Sequence, residues 1–181
     1  PNLKPEESKN FEFGIQHQTK SIKHRLVYFY REINSGIDFD YVNYTYFNFQ
    51  KQFVRGLEYE ASVQINKSLG ITGNYSYVNG TEFSQSRLTF NDTAYSYLLR
   101  RPVHQFNLTA AYTCKQFSAS VSGKYVSDRY DVTGYQVKDT KLKGYFLLNA
   151  YAEYQLNSHI KFFADAQNIS NTDFYDLRGF N

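Results

Sequence analysis

Residues 145–169 read YFLLNAYAEYQL, then NSH, then IKFFADAQNI, and their reading decides the fold. In the first part Phe146, Leu148, Ala150, Ala152, Tyr154 and Leu156 fall on one side of an extended strand, because successive strand side chains point to opposite faces. The other side carries Tyr145, Leu147, Asn149, Tyr151, Glu153 and Gln155, increasingly polar toward the turn. In the last part Ile160, Phe162, Ala164 and Ala166 alternate with Lys161, Phe163, Asp165 and Gln167. A three-residue loop at Asn157, Ser158 and His159 sets Leu156 opposite Ile160, so both apolar rows share a face. A two-residue loop would pair Leu156 with His159 and scramble the rows.

The apolar row mixes aromatics with small residues, which suits a wall against hydrocarbon better than a dense core. Asn149, Glu153, Asp165 and Gln167 suit a watery interior. That alternation is the pattern of an antiparallel transmembrane β-barrel, a signal that gains weight only by repetition.

Composition is compatible with it. The 181 residues are 41% hydrophobic, with 18 Tyr and 16 Phe but no Trp and no Met. Mean hydropathy is −0.59, yet a barrel wall needs an apolar residue only at alternate positions, so a low average does not oppose it. No stretch has the ~18 consecutive apolar residues of a helical span. Basic and acidic residues, 20 and 17, are dispersed to a net +3, which gives nucleic-acid binding no support. Cys114 is alone and falls in an outward row with Phe106, Leu108, Ala110 and Tyr112, as an apolar filler. A chain that begins at Pro1 without a leader reads as a processed product or a fragment.

Taken in order, the alternation predicts eight strands. Residues 10–18 form the first, and KHRLVYFYREI (23–33) the second, with its facing open because Val27 to Tyr30 is apolar on both sides. Tyr41 to Asn66 reads as one tall strand, bulged near Gly56. After a turn at 66–68, Leu69 to Tyr77 alternates again. Residues 80–101 lack periodicity and read as a long loop. Residues 103–114 and 117–130 pair across a two-residue turn at Lys115 and Gln116, and a second long loop covers about 128–143 before the closing hairpin. Connections then alternate strictly between short and long, as in an outer-membrane barrel with tight periplasmic turns and extended extracellular loops. Both chain ends would lie on the long-loop side, so a piece of a larger barrel, lacking at least a final strand, is the expectation.

Several stretches resemble, in the family's order, the C-terminal part of a TonB-dependent outer-membrane receptor: PNLKPEESKNFEFGIQ (1–16), LVYFYREINSGI (26–37), VRGLEYEASVQI (54–65) and FADAQNISNTDFYDLRGF (163–180), the last with Ile169 where the family has Leu. LLRRPVHQF (98–106) is similar to a segment of cobalamin and related receptors. The resemblance implies a 22-stranded barrel of which residues 1–181 are the C-terminal portion, with the plug and last strand absent. It implies TonB-dependent uptake of a scarce large nutrient, cobalamin or an iron-siderophore or haem, in the outer membrane of a Gram-negative bacterium. Implied partners are outer-membrane lipid, TonB through the missing N-terminal region, the nutrient ligand and a surface lipoprotein; no cofactor is implied. The Asn- and Tyr-rich, Trp-free composition is compatible with a Bacteroidetes-like source.

Candidate ligand contacts lie in the long loops. Arg100 and Arg101 offer guanidinium forks to an anion, although a solvated basic pair at a strand mouth is the commoner arrangement. Tyr95, Tyr97, Tyr130 and Tyr135 offer stacking faces, or belong to the interfacial aromatic girdle. Glu58 and Glu60 share one side of a strand like a glycosidase pair, but fit better as interior residues hydrogen-bonded to neighbouring strands. His17, His24, His104 and His159 lack metal-ligand spacing. With no Ser-His-Asp order, phosphate loop or paired Cys, an enzyme reading has no foothold. Two alternatives remain: a complete eight-stranded structural or adhesin-like barrel, and a secreted carbohydrate-binding β-sandwich, which would bury Phe146, Leu148 and Phe162 in a core.

Overall fold

The computed structural model describes residues 3–40, 44–89, 91–133 and 137–177. Its strands are β1 (Glu7–Gln18), β2 (Ile22–Asn34), β3 (Ile37–Asp40), β4 (Thr45–Asn48), β5 (Lys51–Gln64), β6 (Leu69–Gln85), β7 (Asp92–Tyr95), β8 (His104–Cys114), β9 (Phe117–Val126), β10 (Arg129–Asp131), β11 (Thr140–Leu142), β12 (Tyr145–Gln155) and β13 (Lys161–Ala166). Eight of them form one antiparallel sheet in the order β1-β2-β5-β6-β8-β9-β12-β13, and β7 pairs with the far end of β6. Hairpins β3–β4 and β10–β11 stand apart from the sheet. Among the described residues β1 and β13 do not pair with each other, so the sheet is an open arc and not a closed small barrel.

Turn chemistry fixes the registers at the short-turn end. Asn66 Oδ1 accepts hydrogen bonds from the Ser68 and Leu69 amides at 2.8 and 3.0 Å, and Asn157 Oδ1 does the same for His159 and Ile160 at 2.9 and 3.0 Å. The amide of Leu156 donates to the Ile160 carbonyl at 3.0 Å, as a three-residue loop requires. Cys114 faces Phe117 across Lys115, whose φ of 53° supplies the left-handed position of a tight hairpin.

These registers gather one face into continuous rows. Leu108 lies beside Gly73 and Gly123, Val121 beside Ala110 and Ala150, and Ala152 beside Ala164. That face is exposed: Leu108 is 51%, Val121 49% and Phe162 60% accessible. The opposite face carries Asn74, Asn107, Thr109, Ser122, Asn149 and Glu153. Among the described residues buried apolar side chains are few, namely Val27, Phe49, Val54, Leu98, Val126 and Tyr145, on the polar face or in the loops. Phe146 and Phe162, which a sandwich would place in its core, are exposed instead, so that alternative fails.

Four expectations change. Tyr41–Asn66 is not one strand: Thr45–Asn48 folds back on Ile37–Asp40, and the wall strand starts only at Lys51. Gly56 marks no bulge, since the pairing of β5 with β2 runs unbroken; a Cβ there would strike the Phe29 ring and the Tyr77 carbonyl, so glycine admits a close approach. The stretch 80–101 is not all loop, because β6 continues to Gln85 and β7 pairs with it. The second long loop holds the β10–β11 hairpin. For β2 the facing is settled: Val27 and Phe29 lie on the polar side, Leu26, Tyr28 and Tyr30 on the apolar side.

Candidate functional site

Three long connections rise from one rim of the arc, and those after β6 and after β9 are neighbours because β8, into which the first leads, pairs with β9, from which the second leaves. A parallel bridge between Leu99 and Tyr130 joins them, reinforced by the Arg100 amide donating to the Tyr130 carbonyl at 2.7 Å. Arg100 has φ 59°, the turn that aims its side chain back at the second loop. There Nε meets Asp131 Oδ1 at 2.6 Å, and Asp131 is only 1% exposed.

Arg87 holds the same two loops together from further out. Its guanidinium grips Asp139 through Nε and Nη2 at 2.8 to 3.1 Å, and the Asp139 side chain is 2% exposed. The Tyr97 hydroxyl donates to the same carboxylate at 2.7 Å. Rings then fill the gaps: Tyr97 stacks on Tyr130 with centroids 3.9 Å apart, Tyr95 meets Tyr97 edge-on at 5.4 Å, and Arg87 covers the Tyr95 face at 3.9 Å. Burial pushes the Tyr97 phenol well above the ordinary tyrosine range, and its hydrogen bond to Asp139 adds to the rise. Burial alone would lower the Arg87 value, but Asp139 outweighs it and holds the guanidinium charged.

Two smaller ties complete the rim. Asp128 is held below the usual carboxylate range by Lys141, at 2.7 Å, and by the Gly144 amide. Arg129 donates to the Tyr175 carbonyl and to Asp176, which also accepts from the Tyr145 hydroxyl at 2.6 Å. The segment after β13 is thereby pinned to the second loop.

Of the residues singled out in the sequence, Tyr95, Tyr97, Tyr130 and Arg100 converge in this cluster. They are spent on holding the loops to each other: one face of Tyr97 lies on Tyr130 and Arg87 covers Tyr95. Tyr135 lies outside the described residues. Arg101 makes no contact within the cluster among the described residues; it borders, together with Arg100, a recess of about 390 Å³ on the polar face, with Asn10, Glu12, Arg31, Glu58 and Gln105. Glu58 and Glu60 stand on that polar face as expected, but neither side chain forms a hydrogen bond to a neighbouring strand among the described residues. Arg87, Asp131 and Asp139 escaped sequence reading because opposite charges in two aperiodic loops give no sign of pairing. The usable hint was that the loops spring from adjacent hairpins.

Residues 1–169 match the family described as TonB dependent receptor-like, beta-barrel. Among solved structures the chain is similar to the ferric-catecholate import receptor Fiu of E. coli K12 in its closed form (TM-score 0.77, 20% identity, covering 97% of this chain and 25% of that one). It is also similar to the ferripyoverdine receptor of Pseudomonas aeruginosa bound to ferripyoverdine (0.77, 17%, 98% and 25%) and to the copper transporter OprC (0.73, 18%, 96% and 26%). The chain thus spans about a quarter of the length of the structures it matches.

Proposed function

The chain belongs to the TonB-dependent receptor-like β-barrel family, and on that premise we propose that it forms the C-terminal wall and extracellular loops of an outer-membrane receptor for TonB-dependent uptake of a scarce nutrient. The plug, the TonB-contacting segment and the closing strand belong to the remainder of the receptor. The observation that carries this reading is the arc itself, apolar outward and polar inward, with long loops on one rim.

An iron chelate of the siderophore class is the favoured cargo, in keeping with the named ligands of the similar ferric-catecholate and ferripyoverdine receptors. Arg101 and Arg31 border the recess on the polar face, beside Glu12 and Glu58, and offer guanidinium forks to an anionic chelate there. Tyr95, Tyr97, Tyr130 and Arg100 act by shaping the loop surface, and Tyr135 offers a further ring to the ligand. Cobalamin or haem is the second reading, resting on the LLRRPVHQF stretch. A surface lipoprotein is a candidate partner above the loops. No chemical conversion is assigned.

Cells lacking the full-length receptor, and the same cells complemented with it, should be compared for uptake of labelled ferric catecholate, ferric hydroxamate, haem and cobalamin, with and without a protonophore. Loss of ferric-chelate uptake on deletion, restored by complementation and blocked by the protonophore, is the expected result. Unchanged uptake of every chelate would overturn the reading.

A further inference from the structure

Of the cations on the outward face, which include Lys9 and Lys51, Arg55 has its place in the membrane defined by the strand that bears it. From Ile65, just past the short-turn end of β5, the outward row climbs through Val63, Ala61, Tyr59 and Leu57 and then reaches Arg55. Leu57 to Ile65 matches the roughly 9–11 residues that a tilted strand needs to cross hydrocarbon. Arg55 therefore sits at the first level above the hydrocarbon on the extracellular side, where lipid headgroups begin.

Its row is unusual in chemistry. Tyr30 lies directly across on β2 and Asn79 directly across on β6, so a phenol, a guanidinium and a carboxamide stand side by side on three strands. With strands about 4.8 Å apart, the three groups span about 10 Å, the width of a phosphate and its first substituents. Arg55 is exposed, and among the described residues its guanidinium forms no ion pair. The nearest carboxylate on this face, Glu32, is taken by Lys51 at 2.7 Å. Aromatic rings flank the row: Tyr30 and Phe53 have centroids 6.4 Å apart, Phe53 and Phe83 6.1 Å. A charged side chain on the lipid face is costly unless it reaches the headgroups or an anion.

We infer that the Tyr30–Arg55–Asn79 row is a binding site on the outer wall of the barrel for the phosphate headgroup of an extracellular-leaflet lipid. The guanidinium presents a planar fork to two phosphate oxygens, and the phenol and carboxamide donate to the third and to the substituent. This goes beyond nutrient uptake, requiring only that the apolar face meets lipid.

The test uses the full-length receptor in vesicles of phosphatidylcholine and phosphatidic acid at four to one, with the phosphatidic acid retained after detergent extraction counted by native mass spectrometry. Vesicles in which oleic acid replaces phosphatidic acid control for negative charge alone. Arg55→Gln should lower retention of phosphatidic acid about fivefold, Arg55→Lys should fall between, and Lys124→Gln, on the polar face, should retain the lipid like the native receptor. Heat-modifiable gel mobility establishes that each variant is a folded barrel. Equal retention by native receptor and Arg55→Gln, or equal retention of oleic acid and phosphatidic acid, would overturn the site while leaving the transport reading intact.

Discussion

Arg87 and Asp139, 52 positions apart in the chain, meet in a two-pronged ion pair, with Nη2 to Oδ2 at 2.8 Å and Nε to Oδ1 at 3.1 Å. Because Tyr97 donates to the same carboxylate, one buried acid ties the loop after β6 to the loop after β9. The two rim loops are built as one body.

Removing that acid should free the loops without unfolding the wall. Asp139→Ala leaves Arg87 with only the longer Glu82 contact, at 3.6 Å, in a half-buried setting, at a cost of about 2–3 kcal/mol, below the range for fully buried pairs because Arg87 keeps some solvent and a second carboxylate. Hydrogen exchange should accelerate within 86–103 and 127–144 and stay unchanged in β8 and β9. Equal acceleration in the wall strands would show that the pair supports the barrel instead.

Alkali should open the same lock. The folded Tyr97 phenol titrates above its unfolded value of about 10. Its contribution is therefore complete below about pH 10 and is lost as pH rises through the folded value. In the full receptor, the native-minus-Tyr97→Phe difference absorbance of tyrosinate should stay flat through pH 10 and rise only beyond it. A step at the ordinary tyrosine pKa would mean that Tyr97 is solvated.

Lipid and lumen faces should separate at adjacent residues. Leu108 is outward and mid-strand, whereas Thr109 shares the polar face with Glu60, Thr72 and Asn107. Leu108→Arg should destabilise bilayer-inserted barrel by ~2–4 kcal/mol in a urea titration. Thr109→Arg should cost well under half of that, with Glu60 nearby to meet it. Equal losses would contradict the assignment of faces.

Gly56 should not tolerate a methyl group. A Cβ there meets the Phe29 ring and, less forgivingly, the Tyr77 backbone carbonyl. Gly56→Ala is expected to cost about 1–3 kcal/mol, and Phe29→Ala in the same chain should recover only part of it, since the carbonyl remains. Full recovery would place the whole conflict in the ring.

The arc has free edges at β1 and β13, and residues 1–181 produced alone should associate through them. Gel filtration in detergent should show oligomers that shrink when prolines are placed at alternate positions of β1. A monodisperse monomer would show that the edges are protected in some other way.

The amino-acid sequence alone determined the wall. A period of two is a local property, so alternating rows, tight turns opened by Asn66 and Asn157, the eight-strand count and the short–long rhythm were all legible before any coordinates. It also picked out Tyr95, Tyr97, Tyr130 and Arg100, but not what they touch. Only the tertiary structure decided that: which face Val27 takes in a strand apolar on both sides, that Thr45–Asn48 folds back on Ile37–Asp40, and that Arg87, Arg100, Asp131 and Asp139 close two loops on each other. Those facts depend on partners from distant strands, and aperiodic loops leave no repeating pattern from which such partners follow.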